Sequence, residues 1–250
     1  MTQIPADAPL AVHPLVAALA ARIRVHRDGL PELGALPLDP QLEAVSGSLD
    51  GEELYIRNEV HRSRGLRKLH LETARLGGGL QILHCVFFPD PCFDLPVFGA
   101  DVVAGRAGVS AAIADLSPVD GTLPEPMAAA LADRPIAPFS QVRDLPAWGS
   151  IFSPHVLFVR PTSSQEETGF IEAVNGMLEV MGEAVSRSPR QAWNDPATLR
   201  RWEGQLLYCK QQKQNDKTRR VLEKAFDLHW ADHYIEQLLF DDPPAPSPSP

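Results

Sequence analysis

The stretch from Arg67 to Asp101 reads R-K-L-H-L-E-T-A-R-L-G-G-G-L-Q-I-L-H-C-V-F-F-P-D-P-C-F-D-L-P-V-F-G-A-D. Apolar and polar residues alternate on either side of Gly77-Gly78-Gly79, the pattern of two antiparallel strands joined by a tight turn. His70 and Glu72 are two residues apart, so in a strand both project from one face. Pairing Leu76 with Leu80 across the glycines places Glu72 opposite His84, with Cβ atoms about 5 Å apart. A bulge in the three-residue turn would shift that register. The expected product is a sheet face on which His70, Glu72 and His84 are neighbours, with Asp101 on the strand beyond.

Outward from this hairpin, residues 41–118 keep a period of two in short segments split by Gly, Pro and Asp. With no helical spacers, they read as sequential antiparallel strands. Residues 14–28 carry a helical stripe (Leu15, Leu19, Ile23) with a proline in the first turn. A short helix is expected at 125–133 and a strand at 155–159. Further helices are expected at 165–186, 196–212, 218–226 and 231–240. Helices collected at both ends of an antiparallel run predict an α/β chain, a three-layer α/β/α sandwich with a central antiparallel sheet flanked by helices. The expected organisation is a flexible N-terminus over 1–12, one domain over 13–240, and a disordered Pro/Ser tail over 241–250.

Asp101 stands in an otherwise apolar strand, V-F-G-A-D-V-V-A. A two-residue loop at Arg106-Ala107, pairing Gly105 with Gly108, sets Asp101 opposite Ala112. One face then gathers Gly99, Asp101, Ser110, Ala112 and Ala114. A face of small side chains either accepts close helix packing or leaves room for a flat ligand. An unpaired buried carboxylate is costly under close packing, which favours a ligand floor.

The chain has 250 residues, 44% hydrophobic and 22% charged, the make-up of an ordinary globular domain. No apolar run approaches the roughly 20 residues that span a bilayer. The N-terminus lacks the basic start and apolar stretch of a signal peptide, so a cytoplasmic location is expected. Three cysteines, Cys85, Cys92 and Cys209, are too sparse for a disulfide framework. A net charge of −9 argues against nucleic-acid and membrane partners. Two local basic clusters run against that balance: Arg62, Arg64, Arg67 and Lys68, and then Lys210, Lys213, Lys217, Arg219, Arg220 and Lys224. Each reads either as a solvated face or as a dock for an acidic partner. A monomer is the default expectation.

His and Glu on adjacent strands could supply a zinc site. His70 and Glu72, with the later Pro91-Cys92, partly match the zinc deaminase pattern H-x-E…P-C-x-x-C. The match breaks where the second cysteine should stand, because Leu95 occupies that place. No dinucleotide-binding, P-loop or nucleophile-elbow motif is present. What remains is a sheet-based apolar pocket with proton carriers. Either these are ordinary structural strand residues, or their juxtaposition tunes them for proton delivery.

The segments L-H-L-E, I-L-H-C-V-F-F-P, F-D-L-P-V-F-G-A-D, V-S-A-A-I-A-D-L-S-P and K-Q-Q-K-Q-N-D-K-T-R-R-V-L-E-K-A-F resemble the ferredoxin-dependent bilin reductases over about residues 53–240. The resemblance implies that biliverdin IXα lies between the sheet and the C-terminal helices. It implies no bound flavin or metal: reduced ferredoxin supplies single electrons from its own 2Fe-2S cluster, and the bilin passes through radical states. Asp101 then looks like the first proton donor, His84 its relay partner, His70 a support behind it, and Glu72 the donor to the D-ring vinyl group. Arg143 and Lys217 match the family's positions for the bilin propionates. Asn215, Ser110, Trp148 and Tyr208 match further pocket positions. Glu72 and His84 together favour the branch that makes phycocyanobilin by four-electron reduction. A two-electron or phycoerythrobilin-type product, or a non-catalytic bilin carrier, remains the alternative.

Overall fold

The computed structural model describes residues 12–248. Residues 1–11 of the expected N-terminal arm and 249–250 of the tail lie outside the described residues. Eight strands form one antiparallel sheet: β1 (Gly34–Ala35), β2 (Ala44–Leu49), β3 (Glu52–Ser63), β4 (Leu66–Leu76), β5 (Gln81–Pro89), β6 (Val97–Gly105), β7 (Gly108–Ser117) and β8 (Leu157–Val159). The order is β1-β3-β4-β5-β6-β7-β8, with β2 also paired to β3. The central strands therefore follow one another through short turns. Gly79, at φ +94°, supplies the left-handed residue that closes the turn between β4 and β5.

Alternation along the strands sends side chains into two cores. From β5, Leu83, Cys85 and Phe87 enter the core shared with α1 (Pro14–Asp28), α3 (Glu125–Ala132) and α4 (Ser164–Arg187). Leu15, Leu19 and Ile23 of α1 are almost wholly buried there, each contributing about 1.5–3 kcal/mol. On the other face, Val86 and Phe88 join the core built by α5 (Pro196–Gln212), α6 (Asp216–Ala225), α7 (Leu228–Tyr234) and a π-helical turn over Ile235–Leu239. The remaining short helix, α2 (Pro40–Glu43), leads into β2. This is the three-layer sandwich read from the sequence.

Helix starts follow their capping side chains. Asp195 accepts from Ala197 N ahead of Pro196 and opens α5. The helix expected at 231–240 begins earlier, at Leu228, because Asp227 accepts from Trp230 N at 2.7 Å. Its last turn widens into the π-helix. Asp241, which opens the segment read as a tail, is ion-paired to Arg67 and Lys68 at the start of β4. Pro243 O accepts from Trp202 Nε1 at 3.0 Å.

The hairpin register around the three glycines is as expected: Glu72 pairs with His84, and Leu76 N donates to Leu80 O. The next hairpin differs. Gly105 does pair with Gly108, but the register shifts between Val103 and Ala104, and Asp101 lies opposite Ile113 instead of Ala112. Val103 pairs with Ala111 while Ala104 pairs with Val109, so Ser110 is the extra residue of a bulge. One inserted residue exchanges the two faces of everything beyond it. Ala112 and Ala114 therefore pack into the α1/α4 core, while Ala111, Ile113 and Asp115 share the face of Asp101.

Candidate active site

The strand registers align one continuous row of directly opposed residues on the face toward α5 and α7. Asn58 pairs with Glu72, Glu72 with His84, His84 with Asp101, Asp101 with Ile113, and Ile113 with Phe158. The adjacent row holds Val60, His70, Val86, Gly99 and Asp115. Four titratable groups proposed from the sequence thus converge on neighbouring positions of three consecutive strands.

Their contacts are specific. His84 Nδ1 lies 3.5 Å from Asp101 Oδ2. Glu72 Oε2 lies 2.8 Å from the Tyr234 hydroxyl, and His70 Nε2 lies 2.8 Å from Asn58 Oδ1. The His70 and His84 rings are 6.1 Å apart edge-on, and Phe240 covers His84 from the other side at 5.6 Å. His70 Nδ1, His84 Nε2 and Asp101 Oδ1 are buried polar atoms with no hydrogen-bond partner among the described residues. Unpaired polar atoms in such positions are costly unless a ligand or water meets them.

Electrostatics separates the groups. Burial pushes Glu72 above the ordinary carboxylate range, outweighing the opposing pull of His84. Burial, then Lys68 and His84, pushes His70 well below the ordinary imidazole value, so it stands neutral. Burial also pulls on His84, but the Asp101 carboxylate outweighs it and holds that ring above its ordinary value. A carboxyl that keeps its proton beside a proton-rich imidazole is suited to general acid chemistry near neutral pH.

A cavity of about 540 Å³ opens over this face. That lies within the range of roughly 300–1,000 Å³ usual for small-molecule sites. Its floor is Asp101, Val103, Ala111, Ile113, Gly99 and Asp115, with His84 at one side. Gly99 keeps the floor low: a Cβ there would stand 3.3 Å from the Tyr208 hydroxyl. Trp148 and Phe152 form an aromatic wall, held to β7 because Asp115 accepts from Ser153 N at 2.8 Å and from the Ser153 and Ser117 hydroxyls.

Arg143, Asn215, Lys217, Trp148 and Tyr208 all line this cavity. Arg143 is oriented by donating to Ser110 O at 2.7 Å and by lying 5.3 Å over the Phe158 ring. Asn215 caps α6, and Lys217 stands exposed in its first turn. Tyr208 is buried on α5, its hydroxyl accepting from Gln212. Ser110 itself is turned out by the bulge, its hydroxyl donating to Val103 O, and only its carbonyl serves the site. Glu72 and His70 stand behind His84 under Tyr234 and Phe240 and do not line the cavity.

The sequence reading missed Asn58, Tyr234, Phe240 and Asp115. Extending the register one strand back from the turn at Arg64-Gly65, where Ser63 pairs with Leu66, would set Arg57 opposite Glu72; an irregularity between His61 and Ser63 shifts the pairing to Asn58. No local signal marks Tyr234, which is 162 residues from the Glu72 it touches.

The basic clusters are largely satisfied internally. Arg67 and Lys68 pair with Asp241, Lys213 with Glu236 and Asp242, and Arg219 with Asp232. Arg64 donates to the carbonyls of Val185 and Ser188. Arg62, Lys210 and Lys217 are exposed and carry no ion pair among the described residues. No three His, Cys, Asp or Glu side chains among the described residues are placed to hold a metal ion. No helix among them is long and apolar enough to cross a membrane.

The profile of the family described as ferredoxin-dependent bilin reductase matches residues 20–241. The chain is 60% identical over 240 residues to the phycocyanobilin:ferredoxin oxidoreductase of Prochlorococcus marinus (strain MIT 9313), covering 96% of this chain and 91% of that one. It is 57% identical over 235 residues to the protein of the same name from Synechococcus sp. (strain CC9902), covering 94% and 96%. Among solved structures, phytochromobilin synthase from tomato in complex with biliverdin shares the fold, with a TM-score of 0.70 at 21% identity over 90% of this chain and 80% of that one.

Proposed function

Since the chain belongs to the ferredoxin-dependent bilin reductase family, and is thus an oxidoreductase drawing electrons from ferredoxin, we propose that it reduces biliverdin IXα to phycocyanobilin by four electrons and four protons. The observation that carries this reading is the row Glu72–His84–Asp101 at the edge of an aromatic-walled cavity. It occurs in a chain whose relatives of 57–60% identity bear the name of that reaction.

Electrons arrive one at a time from ferredoxin, so the bilin passes through radical states and each must be met by a proton. Asp101 is the first donor to the bilin, its unpaired Oδ1 on the cavity floor passing on the proton that His84 holds beside it. His84, proton-rich beside Asp101, reloads it, and neutral His70 supports His84 from behind. Glu72, kept protonated by burial directly behind His84 and outside the cavity lining, is the proton source for the D-ring vinyl group. Arg143 and Lys217 at the cavity meet the propionates, with Asn215, Trp148 and Tyr208 shaping the walls. Ser110 acts through its carbonyl by orienting Arg143. The chain works in the cytoplasm, a reading supported by three buried free thiols, which suit a reducing compartment, and it works as a monomer by default.

The test is an anaerobic assay with biliverdin, ferredoxin and a ferredoxin-reducing system, followed by absorbance and product chromatography. Phycocyanobilin is the expected product. A two-electron product or phycoerythrobilin would overturn the product assignment, and tightly bound but unconverted biliverdin would make the chain a carrier.

A further inference from the structure

Asn58 is 2% exposed and sits at the end of the row, opposite Glu72. Its Nδ2 donates to Leu42 O at 2.6 Å. A backbone carbonyl can only accept, so the orientation of the amide is settled and Oδ1 faces the other way. Two groups reach that oxygen, His70 Nε2 at 2.8 Å and the Tyr234 hydroxyl at 2.9 Å. An amide oxygen has two lone pairs and no proton, so both neighbours must donate to it. His70 therefore carries its proton on Nε2, which leaves Nδ1 as the bare, unpartnered nitrogen.

Tyr234 has one hydroxyl proton, and Asn58 holds it. Yet the same oxygen lies 2.8 Å from Glu72 Oε2. That contact needs a proton between two oxygens, and only Glu72 is left to supply it. We propose that Asn58, acting through Tyr234, holds Glu72 in its protonated form, so that the carboxyl stands loaded as a proton donor before substrate arrives. Asn58 and Tyr234 are positioning residues. The phenol cannot turn away, because its ring stacks on Trp230 at 4.7 Å and Trp230 stacks on Phe226 at 3.9 Å. Burial of Glu72 works in the same direction.

The inference deepens the reading of Glu72 as a donor to the bilin and rests on it, but its test does not need the bilin. Infrared difference spectra of the substrate-free full chain, wild type against Glu72→Gln, isolate the C=O stretch of a neutral Glu72 carboxyl. The wild type should show that band. Tyr234→Phe, which keeps the ring and removes the acceptor, should move it to higher frequency. Asn58→Leu, which releases the phenol proton toward Glu72, should weaken or abolish it. In turnover, Asn58→Leu should bind biliverdin as the wild type does and lose D-ring reduction on the order of 10²-fold.

A wild-type spectrum without the band, or a Tyr234→Phe band at the wild-type frequency, overturns the proposal. A band unchanged in Asn58→Leu overturns the part assigned to Asn58. Should Asn58→Leu fail to fold, the Tyr234→Phe shift alone decides. A chain that makes phycocyanobilin with an ionised Glu72 would refute this inference and leave the reaction standing.

Discussion

Replacing Asp101 by Asn should lower the proton affinity of His84 by a measurable and bounded amount. Asp101 Oδ2 is 3.5 Å from His84 Nδ1. Unit charges at that separation attract by about 5 kcal/mol at an effective dielectric of 20. The Asp101 side chain is 38% exposed, so solvent screens the pair and the low end of the range applies. An ion pair with one partner this exposed contributes about 1 kcal/mol or less. Asn keeps the shape and removes the charge, leaving burial to pull His84 down with less opposition. Because the folded state raises His84 above its unfolded value, the stabilisation is complete below about pH 6.5 and disappears as pH climbs through the raised value. Asp101→Asn should therefore be less stable than wild type by about 1 kcal/mol or less on the acid side of the ordinary imidazole value, the difference vanishing on the alkaline side. An NMR titration of the His84 ring, assigned by His84→Gln, reads the pKa, and denaturant unfolding on the two sides reads the stability. An unmoved His84 titration would refute the pairing argument. The same variant should still bind biliverdin while losing most reduction, and near-normal product from it would remove Asp101 from the proton path.

Glu72→Gln should stall or divert D-ring reduction while sparing the A ring, seen as a partly reduced bilin by chromatography; unaltered product would contradict the role given to Glu72. Gly204→Ala, in the middle of α5, would ordinarily gain about 1 kcal/mol of helix propensity. Here the new Cβ would fall on the Val119 carbonyl oxygen, and overpacking of about 1–3 kcal/mol reverses the sign. A lower denaturation midpoint is expected, and a raised one would mean the backbone moves aside freely. Ferredoxin-driven turnover should fall as salt rises, because exposed Arg62 and Lys210, with no ion pair among the described residues, can meet an acidic partner; salt-independent turnover would place docking elsewhere.

Much of the site was legible because it is local. Three consecutive glycines set a hairpin, and a hairpin register follows from its turn, so the opposition of Glu72 and His84 could be read from one stretch of chain. Helix limits at 14–28 and 196–212 followed from prolines and capping residues. The bulge at Ser110 was not legible: nothing in G-R-A-G-V-S distinguishes a clean hairpin from one with an extra residue, yet it exchanges Ala112 for Ile113 opposite Asp101. The basic clusters misled in part, since the acids that neutralise Arg67, Lys68 and Lys213 lie in the chain's last residues.

By itself, then, the sequence determined the sheet and its row of titratable residues, which rest on periodicity and neighbouring positions, and, through the likeness of its motifs, the family to which the chain belongs. Only the tertiary structure decided the protonation of that row. The proton on Glu72 depends on where the Tyr234 hydroxyl points, and that depends on an amide 176 residues away whose own orientation is set by Leu42 O. Hydrogen-bond polarity is a property of assembled partners, so no pattern along the chain could carry it.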